Sequence, residues 1–487
     1  MTTTANPLVR SKLFWVGVLY FAQGLPFGIF YDVLPVYFRR MGVDLREIGF
    51  LSLLGLAWTV KFLWAPAVDY YRHHRRWMFL LDLGMGAVLL FIAMQSGFGL
   101  PVQIAIAVFA LLSATNDIAI DGYTVELLEK NELGLANGLR NGMYRVGILM
   151  AGVILMASNW LTWPVAYTFA ALLLVVLGVV CLAAPRERAV AVTPQPLFLA
   201  RMLLAAIVLM GAGWLLHRGL SGALTTLLPE RASLTRGLAV LGSVLFPALV
   251  AILVLRRAPA GRAEATEVAA VPLFGALMEM LKRPNIGPIM AFILTYKLGD
   301  VALGPMIKPF WVDAGFTDIE IGAVSVNIGL GLSILGGMVG GWYVDRVGVF
   351  RALWVLGLFQ ALANLGYVWA AGVIPLAAAG AEIDTTHRAI IYFASANESF
   401  ALGLGSAAFL AFLMSIVNKK FAAAEYAVLS SLFALTRHLA GFASGFGAQD
   451  LGYAPYFLLT FFLHFPAYLL LPWVRRELAR PGATASG

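Results

Sequence analysis

Apolar residues occur along this chain in blocks of about 20, the length that a helix needs to cross the hydrocarbon core of a bilayer. Short polar stretches rich in Arg, Gly and Pro separate the blocks. Hydrophobic residues make up 61% of the 487 residues and charged residues only 12%, whereas soluble domains have about 45–50% and about 25%. The pattern therefore predicts an all-α polytopic membrane protein.

The blocks predict about fourteen membrane-spanning helices. The first block lacks a small-residue cleavage site and is followed by more apolar blocks, so we interpret it as a membrane helix and not as a signal peptide. We expect the spans at about 13–38, 47–68, 77–96, 101–124, 139–158, 163–184, 201–218, 236–255, 286–311, 320–344, 352–372, 389–416, 425–446 and 454–474.

The formal net charge of +8 is explained by membrane topology and does not require a nucleic-acid partner. With a cytoplasmic N-terminus, about twenty Lys and Arg residues fall in cytoplasmic segments and about six in outer segments, as the positive-inside rule demands. We therefore predict an integral membrane protein, surrounded by lipid, with both termini in the cytoplasm.

The chain shows no sign of metal or redox chemistry. Cys181 is the single cysteine and cannot form an intrachain disulfide. No Cys and His residues have the spacing of metal ligands, and we expect no metal and no cofactor. We interpret His73 and His74, which lie in a basic stretch, as solvated side chains.

A short motif occurs twice in the chain. The stretch 42–49 has the pattern Gly-x4-Glu-Ile-Gly, and 315–322 repeats it at an offset of 273 residues (315 − 42). Each copy follows a long apolar span and begins the next one. A weaker correspondence links Arg145 with Arg437, each followed seven residues later by a small residue. The chain is therefore predicted to contain two related halves.

Each half also has an acidic and basic loop after its second span. The first loop contains Asp69 and Arg72, and the second contains Asp345 and Arg346 in a Gly-x-x-x-Asp-Arg-x-Gly sequence. A carboxylate at a helix end can pair with a neighbouring arginine and with a helix N-terminus. We predict that these residues form a cytoplasmic gate; the alternative is a static ion pair.

Two six-helix halves with such loops resemble the major facilitator superfamily. The expected domains are an N-terminal six-helix bundle at 1–185, a central linker at 186–285 and a C-terminal six-helix bundle at 286–487. The linker contains two further apolar spans, and an even number of extra helices keeps both halves in the same orientation.

Five ionisable residues of the first half lie in or near its predicted spans. Asp117 and Asp121 are four residues apart and share a helix face. Such charges are costly inside a bilayer and mark pathways, proton relays or structural pairs. We predict a buried charge network, which either carries protons or ties helices together. Its members are Lys61, Asp117, Asp121, Glu126 and Arg145.

A second set of charges is expected near the membrane midplane, where transporters of this plan bind substrate. Lys297 and Arg437 suit an anionic group, and Asp300 and Glu398 are candidates to accept a proton. The predicted substrate and proton-coupling residues are Lys297, Asp300, Glu398, Arg437 and Asp32. We interpret the histidines at 438 and 464 as packing or interfacial residues.

Six stretches in both halves resemble the AmpG-like muropeptide permease family, within the peptide–acetyl-coenzyme A transporter group of the major facilitator superfamily. They lie at 61–66, 117–121, 144–147, 296–300, 403–415 and 418–432. The chain departs from the family pattern after Asp121, where a glycine stands in place of the basic residue that often follows.

The resemblance implies a small-molecule transporter of the bacterial inner membrane. It would import anhydro-sugar muropeptides for cell-wall recycling by proton symport and alternating access. The alternative within this mechanism is a carrier of acetyl-CoA or another organic anion. A membrane enzyme acting on lipid-linked sugars would need a nucleophile, a metal site or a phosphate-binding loop, and the sequence shows none. We therefore predict that the protein is not an enzyme.

Overall fold

The computed structural model describes residues 11–61, 64–65, 68, 73–95, 97–128, 133–186, 218–222, 226, 280, 283, 285–377, 382–417 and 422–479. Within these ranges the chain is helical and contains no strand, which confirms the predicted all-α fold. Most of the predicted linker spans lie outside the described residues. The linker helices and the total of fourteen spans therefore stay predictions.

The described part of the first half contains eight α-helices, and a short π-helix (Ile29–Val33) joins the first two. They are α1 (Lys12–Gly28), α2 (Leu34–Arg40), α3 (Leu45–Leu54), α4 (Leu56–Val60), α5 (His74–Ala93), α6 (Leu100–Leu127), α7 (Leu133–Trp160) and α8 (Trp163–Leu182).

Among the residues described in the second half there are nine α-helices, and a π-helix (Ile321–Ile328) joins α11 to α12. They are α9 (Ile286–Tyr296), α10 (Leu298–Asp313), α11 (Asp318–Glu320), α12 (Gly329–Val347), α13 (Val349–Val373), α14 (Thr385–Ile416), α15 (Ala422–Leu451), α16 (Tyr453–Phe462) and α17 (Phe465–Leu478).

Ten helices of the described part are long and apolar enough to cross a membrane. They are Lys12–Arg40, His74–Ala93, Leu100–Leu127, Gly138–Trp160, Trp163–Leu182, Ile286–Asp313, Asp318–Val347, Val349–Val373, Thr385–Ile416 and Tyr453–Leu478. Each overlaps a span predicted from the apolar blocks. The predicted second span corresponds to α3 and α4, and the span predicted at 425–446 corresponds to α15.

The repeated motif forms the same kind of turn in both halves. Gly42 and Gly315 both have positive φ angles, +78° and +86°, a conformation that glycine adopts without a steric penalty. Asp44 then caps α3 by accepting a hydrogen bond from the Arg46 backbone N–H at 2.8 Å. Thr317 caps α11 in a reciprocal capping box with Glu320. The repeat is therefore a signal that ends one span and starts the next.

Contacts divide the chain into two compact units. Unit 1 comprises Met1–Ala206, Ile307–Leu330 and Leu376–Ile383, and unit 2 comprises Ile207–Met306, Gly331–Pro375 and Asp384–Gly487. The stretch 307–330 thus belongs with the N-terminal helices by contact, although it lies in the second half by sequence. The predicted domain boundaries at 185 and 285 divide the chain by sequence order, and they stay a prediction.

Close glycine contacts bring the helices of unit 1 together. Helix α1 packs along α7, and a Cβ at Gly147 would lie 2.9 Å from the Gly24 Cα. Helix α7 also packs against the π-helix at 321–328, where a Cβ at Gly152 would lie 2.7 Å from the Gly322 carbonyl oxygen. Any larger side chain at these positions would push the helices apart.

An aromatic core organises unit 2. The ring of Tyr296 stacks on Phe409 with centroids 5.5 Å apart, and Phe292 meets Phe412 edge-on at 5.1 Å. Gly403 belongs to the stretch at 403–415 that carried the family resemblance, and its Cβ would lie 2.7 Å from a backbone nitrogen of α12. This core fixes α9 against α14, and α9 ends directly before Lys297.

Candidate functional site

The charges predicted near the midplane of unit 2 lie at a break in a helix. Helix α9 ends at Tyr296, Lys297 is non-helical, and α10 begins at Leu298. Asp300 lies in the first turn of α10, where the helix dipole favours a negative charge. Lys297 Nζ lies 3.4 Å from Asp300 Oδ2, as their spacing predicts. These side chains are only 3% and 7% exposed, so the pair is held away from solvent.

Two further side chains that the sequence reasoning did not select surround the carboxylate of Asp300. His464 Nε2 lies 3.1 Å from Asp300 Oδ1, and the Gln360 side-chain amide donates a hydrogen bond to Asp300 Oδ2. His464 and Gln360 are buried, 1% and 2% exposed. We interpreted His464 as a packing residue, whereas it is a direct partner of the predicted proton acceptor.

The contacts of His464 suit a hydrogen bond between the imidazole and Asp300. His464 Nδ1 lies 3.1 Å from the Thr460 carbonyl oxygen, which can only accept, so Nδ1 carries a hydrogen. If Nε2 carried none, its lone pair would face the carboxylate oxygen of Asp300. A hydrogen bond in this contact therefore uses a second proton, on Nε2 or on Asp300 Oδ1. Loss of that proton would turn the contact from attraction into repulsion.

Two more of the predicted coupling residues act on the same cluster. Glu398 and Arg437 both lie within electrostatic range of Lys297. Glu398 is half-buried, and its carboxylate accepts a hydrogen bond from Ser399 Oγ at 3.3 Å. Arg437 is exposed. The site therefore combines a buried acid and base with an exposed guanidinium in electrostatic range.

Two glycines make room for the side chains around Asp300. A Cβ at Gly299 would clash with the imidazole of His464 and would lie 2.5 Å from the Thr460 carbonyl oxygen. A Cβ at Gly405 would lie 2.6 Å from Gln360 Cδ. Both glycines belong to stretches that carried the family resemblance. At these two positions the absence of a Cβ leaves space for the side chains of His464 and Gln360.

A second polar cluster lies in unit 1 and contains three residues of the predicted charge network. Lys61 Nζ lies 3.3 Å from Asp117 Oδ2 and 3.9 Å from Asp121 Oδ2. Arg140 Nη2 lies 3.0 Å from Asp121 Oδ1, and the Tyr20 hydroxyl donates to the same oxygen at 2.6 Å. Arg140 of α7 thus supplies a cation for Asp121. The residue directly after Asp121 in the sequence is a glycine and cannot do so.

The other two residues expected in this network have different surroundings. Glu126 Oε1 lies 3.9 Å from His74 Nε2. His74 is only 1% exposed, so our interpretation of it as solvated is wrong; it is the first residue of α5 and packs beside Gly122. Arg145 is half-buried and forms no ion pair with any residue in the described ranges.

Arginine and aspartate residues form a third set of contacts within unit 1. Arg39 pairs with Asp313 through two hydrogen bonds, Nε–Oδ1 at 2.6 Å and Nη2–Oδ2 at 2.7 Å. Arg40 Nε lies 2.9 Å from Asp318 Oδ1. These four residues, called the arginine–aspartate clamp below, connect the end of α2 with the stretch 307–330.

Asp32 differs in its partner from the other predicted coupling residues. It lies in the π-helix after α1, and its Oδ1 is 2.7 Å from Lys308 Nζ. Both residues belong to unit 1, whereas Lys297, Asp300, Glu398 and Arg437 belong to unit 2. The sequence did not identify Lys308 as a partner because the contact joins distant parts of the chain.

The predicted cytoplasmic gate is only partly described. Asp69 and Arg72 lie outside the described residues. Asp345 and Arg346 are exposed at the end of α12, and neither forms an ion pair with a described residue. The Arg346 guanidinium instead lies 4.7 Å from the ring centroid of Trp342. The gating role of these residues stays a prediction.

Comparison with known proteins shows what this chain is similar to. The family model of the Major Facilitator Superfamily matches residues 16–253. A solved structure of the peptide transporter POT in complex with sulfate has a TM-score of 0.66 and 13% identity, covering 96% of this chain and 95% of that chain. The nucleoside transporter NupG has a TM-score of 0.59 and 12% identity, covering 97% and 100%. The family model covers just under half of the chain, so the chain is similar in sequence to the major facilitator superfamily, and it shares the fold of these transporters. At these identities the two structures show the fold alone.

Relatives within the superfamily agree with the resemblance to the AmpG-like permeases. The anhydromuropeptide permease of Escherichia coli (strain K12) is 27% identical over 471 residues, covering 95% of this chain and 79% of the permease. The putative transporter AmpG 4 of Rickettsia conorii is 21% identical over 485 residues, covering 96% and 97%. The resemblance is confirmed, and this chain is a secondary transporter, not an enzyme.

Proposed function

We propose that this transporter imports anhydromuropeptides by proton symport across the bacterial inner membrane, with both termini in the cytoplasm. The substrate follows from the name of the Escherichia coli relative. The orientation follows from the distribution of Lys and Arg in the sequence. The named AmpG-type relatives give no support to the acetyl-CoA alternative.

The observation that carries the proposal is the buried contact of His464 Nε2 with Asp300 Oδ1 at 3.1 Å. This contact lies beside the buried Lys297, whose ammonium makes no other hydrogen bond to the described residues. An anionic group of the substrate would find a cation at Lys297 and at the exposed Arg437. A peptide substrate offers carboxylates for these cations.

The coupling follows from the charge of the cluster. With the proton present, Lys297 and the Asp300–His464 pair together carry one net positive charge and attract an anion. When the proton leaves, the pair becomes an ionised carboxylate beside a neutral imidazole, and the net charge falls to zero. Substrate affinity would fall with it, so proton release and substrate release are linked thermodynamically.

Proton-gradient-driven uptake into proteoliposomes tests the proposal. We expect labelled disaccharide anhydromuropeptide to accumulate, an uncoupler to abolish the accumulation, and acetyl-CoA not to compete. Asp300→Asn and His464→Gln should abolish uncoupler-sensitive accumulation. Glu382→Gln is the matched control, because Glu382 is exposed and outside the cluster.

The outcomes separate the substrate from the mechanism. Accumulation of acetyl-CoA in place of the muropeptide would overturn the substrate and leave the coupling site standing. Full uncoupler-sensitive uptake in both Asp300→Asn and His464→Gln would overturn the coupling site. Glu398→Gln is expected to reduce uptake, because Glu398 is the second acid near Lys297.

The arginine–aspartate clamp and the predicted gate would serve alternating access. In the proposed orientation the clamp lies at the outer end of unit 1, because Arg39 and Arg40 follow the first span. We propose that the clamp keeps this end closed and that Asp69, Arg72, Asp345 and Arg346 act at the cytoplasmic end. Ion pairs of this kind can break and re-form as a transporter changes state.

A further inference from the structure

An open groove lies in unit 2 between α12, α13 and α17. Its volume is about 800 Å³, within the range of about 300–1,000 Å³ that ligand sites span. Tyr343, Phe350 and Trp354 line its apolar part. The three helices belong to segments long and apolar enough to cross a membrane, so an acyl chain can reach the groove from the bilayer.

Three arginines line the same groove, and no acidic residue does. They are Arg351, Arg475 and Arg476, all exposed. None forms an ion pair with a carboxylate of the described residues. The Arg475 guanidinium lies 5.9 Å from the ring centroid of Phe350, so positive charge and apolar surface meet directly. An uncompensated cluster of this kind attracts an anion.

The arginines lie at helix ends, next to the apolar part. Arg351 is in the first turn of α13, and Arg475 and Arg476 are in the last turn of α17. The positive end of the α13 dipole adds to the charge of Arg351 and strengthens the attraction for an anion. Tyr468 donates a hydrogen bond to the Trp354 carbonyl oxygen at 3.0 Å. This bond connects α17 to α13, and both residues line the groove.

We propose that this groove binds one anionic phospholipid, with its phosphate on Arg351, Arg475 and Arg476. One acyl chain would lie on Tyr343, Phe350 and Trp354. Basic pockets between transmembrane helices on the cytoplasmic side are suited to acidic lipid headgroups. The proposal concerns the lipid-facing surface and does not depend on the transported substrate.

Native mass spectrometry of the purified transporter tests the headgroup. Phosphatidylglycerol and phosphatidylcholine with identical acyl chains are compared at equal concentrations. We expect phosphatidylglycerol to be retained at least about tenfold better, and Arg351→Gln/Arg475→Gln/Arg476→Gln to weaken its binding about a hundredfold, since each arginine near a membrane surface adds a comparable increment. Arg388→Gln, at an exposed arginine outside the groove, should bind as the wild type does.

A second measurement locates the acyl chain. Phosphatidylglycerol with brominated acyl chains should quench tryptophan fluorescence in the wild type more than in Trp354→Phe, because Trp354 is 49% exposed and lines the groove. Equal retention of both lipids, or a triple variant that binds like the wild type, would overturn the proposal. Displacement of the lipid by inorganic phosphate would instead identify a site for soluble anions, and it would also overturn the lipid assignment.

Discussion

Gly299→Ala is the substitution that examines the Asp300–His464 contact most directly. The new Cβ would clash with the His464 imidazole and lie 2.5 Å from the Thr460 carbonyl oxygen. His464 would leave Asp300, or α10 and α16 would separate. Overpacking costs about 1–3 kcal/mol, and the lost hydrogen bond to a charged group adds about 1.5–3 kcal/mol. These losses exceed the gain of about 0.5–1 kcal/mol from replacing glycine in a helix.

Gly304→Ala is the matched control on the same helix. A Cβ at Gly304 would lie more than 4 Å from every heavy atom outside the neighbouring backbone of its own helix. Only the helix-propensity gain of about 0.5–1 kcal/mol therefore remains. We expect Gly304→Ala to keep or raise the melting temperature in detergent and to keep uncoupler-sensitive uptake. Gly299→Ala should lower the melting temperature and abolish uncoupler-sensitive uptake.

The double variant Gly299→Ala/His464→Ala distinguishes packing from proton coupling. Removal of the imidazole relieves most of the clash, so the double variant should be more stable than the sum of the single effects predicts. Uptake should still be absent, because the proton carrier is gone. Full uncoupler-sensitive uptake in Gly299→Ala, or restored uptake in the double variant, would refute the reasoning.

Three further tests examine contacts of unit 1 by thermal unfolding in detergent. Asp82 is fully buried and accepts a hydrogen bond from the Asn116 amide at 2.9 Å. Asp82 Oδ2 and Asn116 Oδ1 have no hydrogen-bond partner in the described residues. A hydrogen on Asp82 Oδ2, donated to Asn116 Oδ1, would satisfy both atoms. Asp82→Asn should therefore be tolerated and Asp82→Leu should cost about 1–3 kcal/mol, whereas equal losses would show that Asp82 is ionised. A double-mutant cycle of Arg39→Ala and Asp313→Ala should give a coupling energy of about 0.5–3 kcal/mol, and a value near zero would contradict the clamp. Gly152→Ala should destabilise by about 1–3 kcal/mol through overpacking, and an unchanged melting temperature would contradict the close approach of α7.

Local signals in the sequence predict the helices and their turns. Apolar blocks of membrane length correspond to the ten long helices, because a bilayer fixes how many apolar residues a span needs. The repeated Gly-x4-Glu-Ile-Gly motif predicts two equivalent turns, because positive φ and helix capping depend on neighbouring residues. Lys297 and Asp300 lie three residues apart, which brings their side chains within 3.4 Å across the break between α9 and α10.

Contacts between distant parts of the chain could not be predicted in this way. His464 lies 164 positions from Asp300, and nothing around it in sequence distinguishes it from a packing residue. Arg140, and not Arg145, pairs with Asp121, since the side of α7 that faces α6 depends on how the two helices pack.

Bilayer thickness and turn chemistry act over a few residues at a time, so the sequence predicts the membrane-spanning helices and the places where one span ends and the next begins. Which polar side chains share each site is seen only in the tertiary structure, because these contacts join distant parts of the chain. That structure places His464 and Gln360 on Asp300 and leaves three arginines around one apolar groove. Buried charges demand partners, but which residue becomes the partner depends on helix packing, and here packing depends on glycines that allow two backbones to approach.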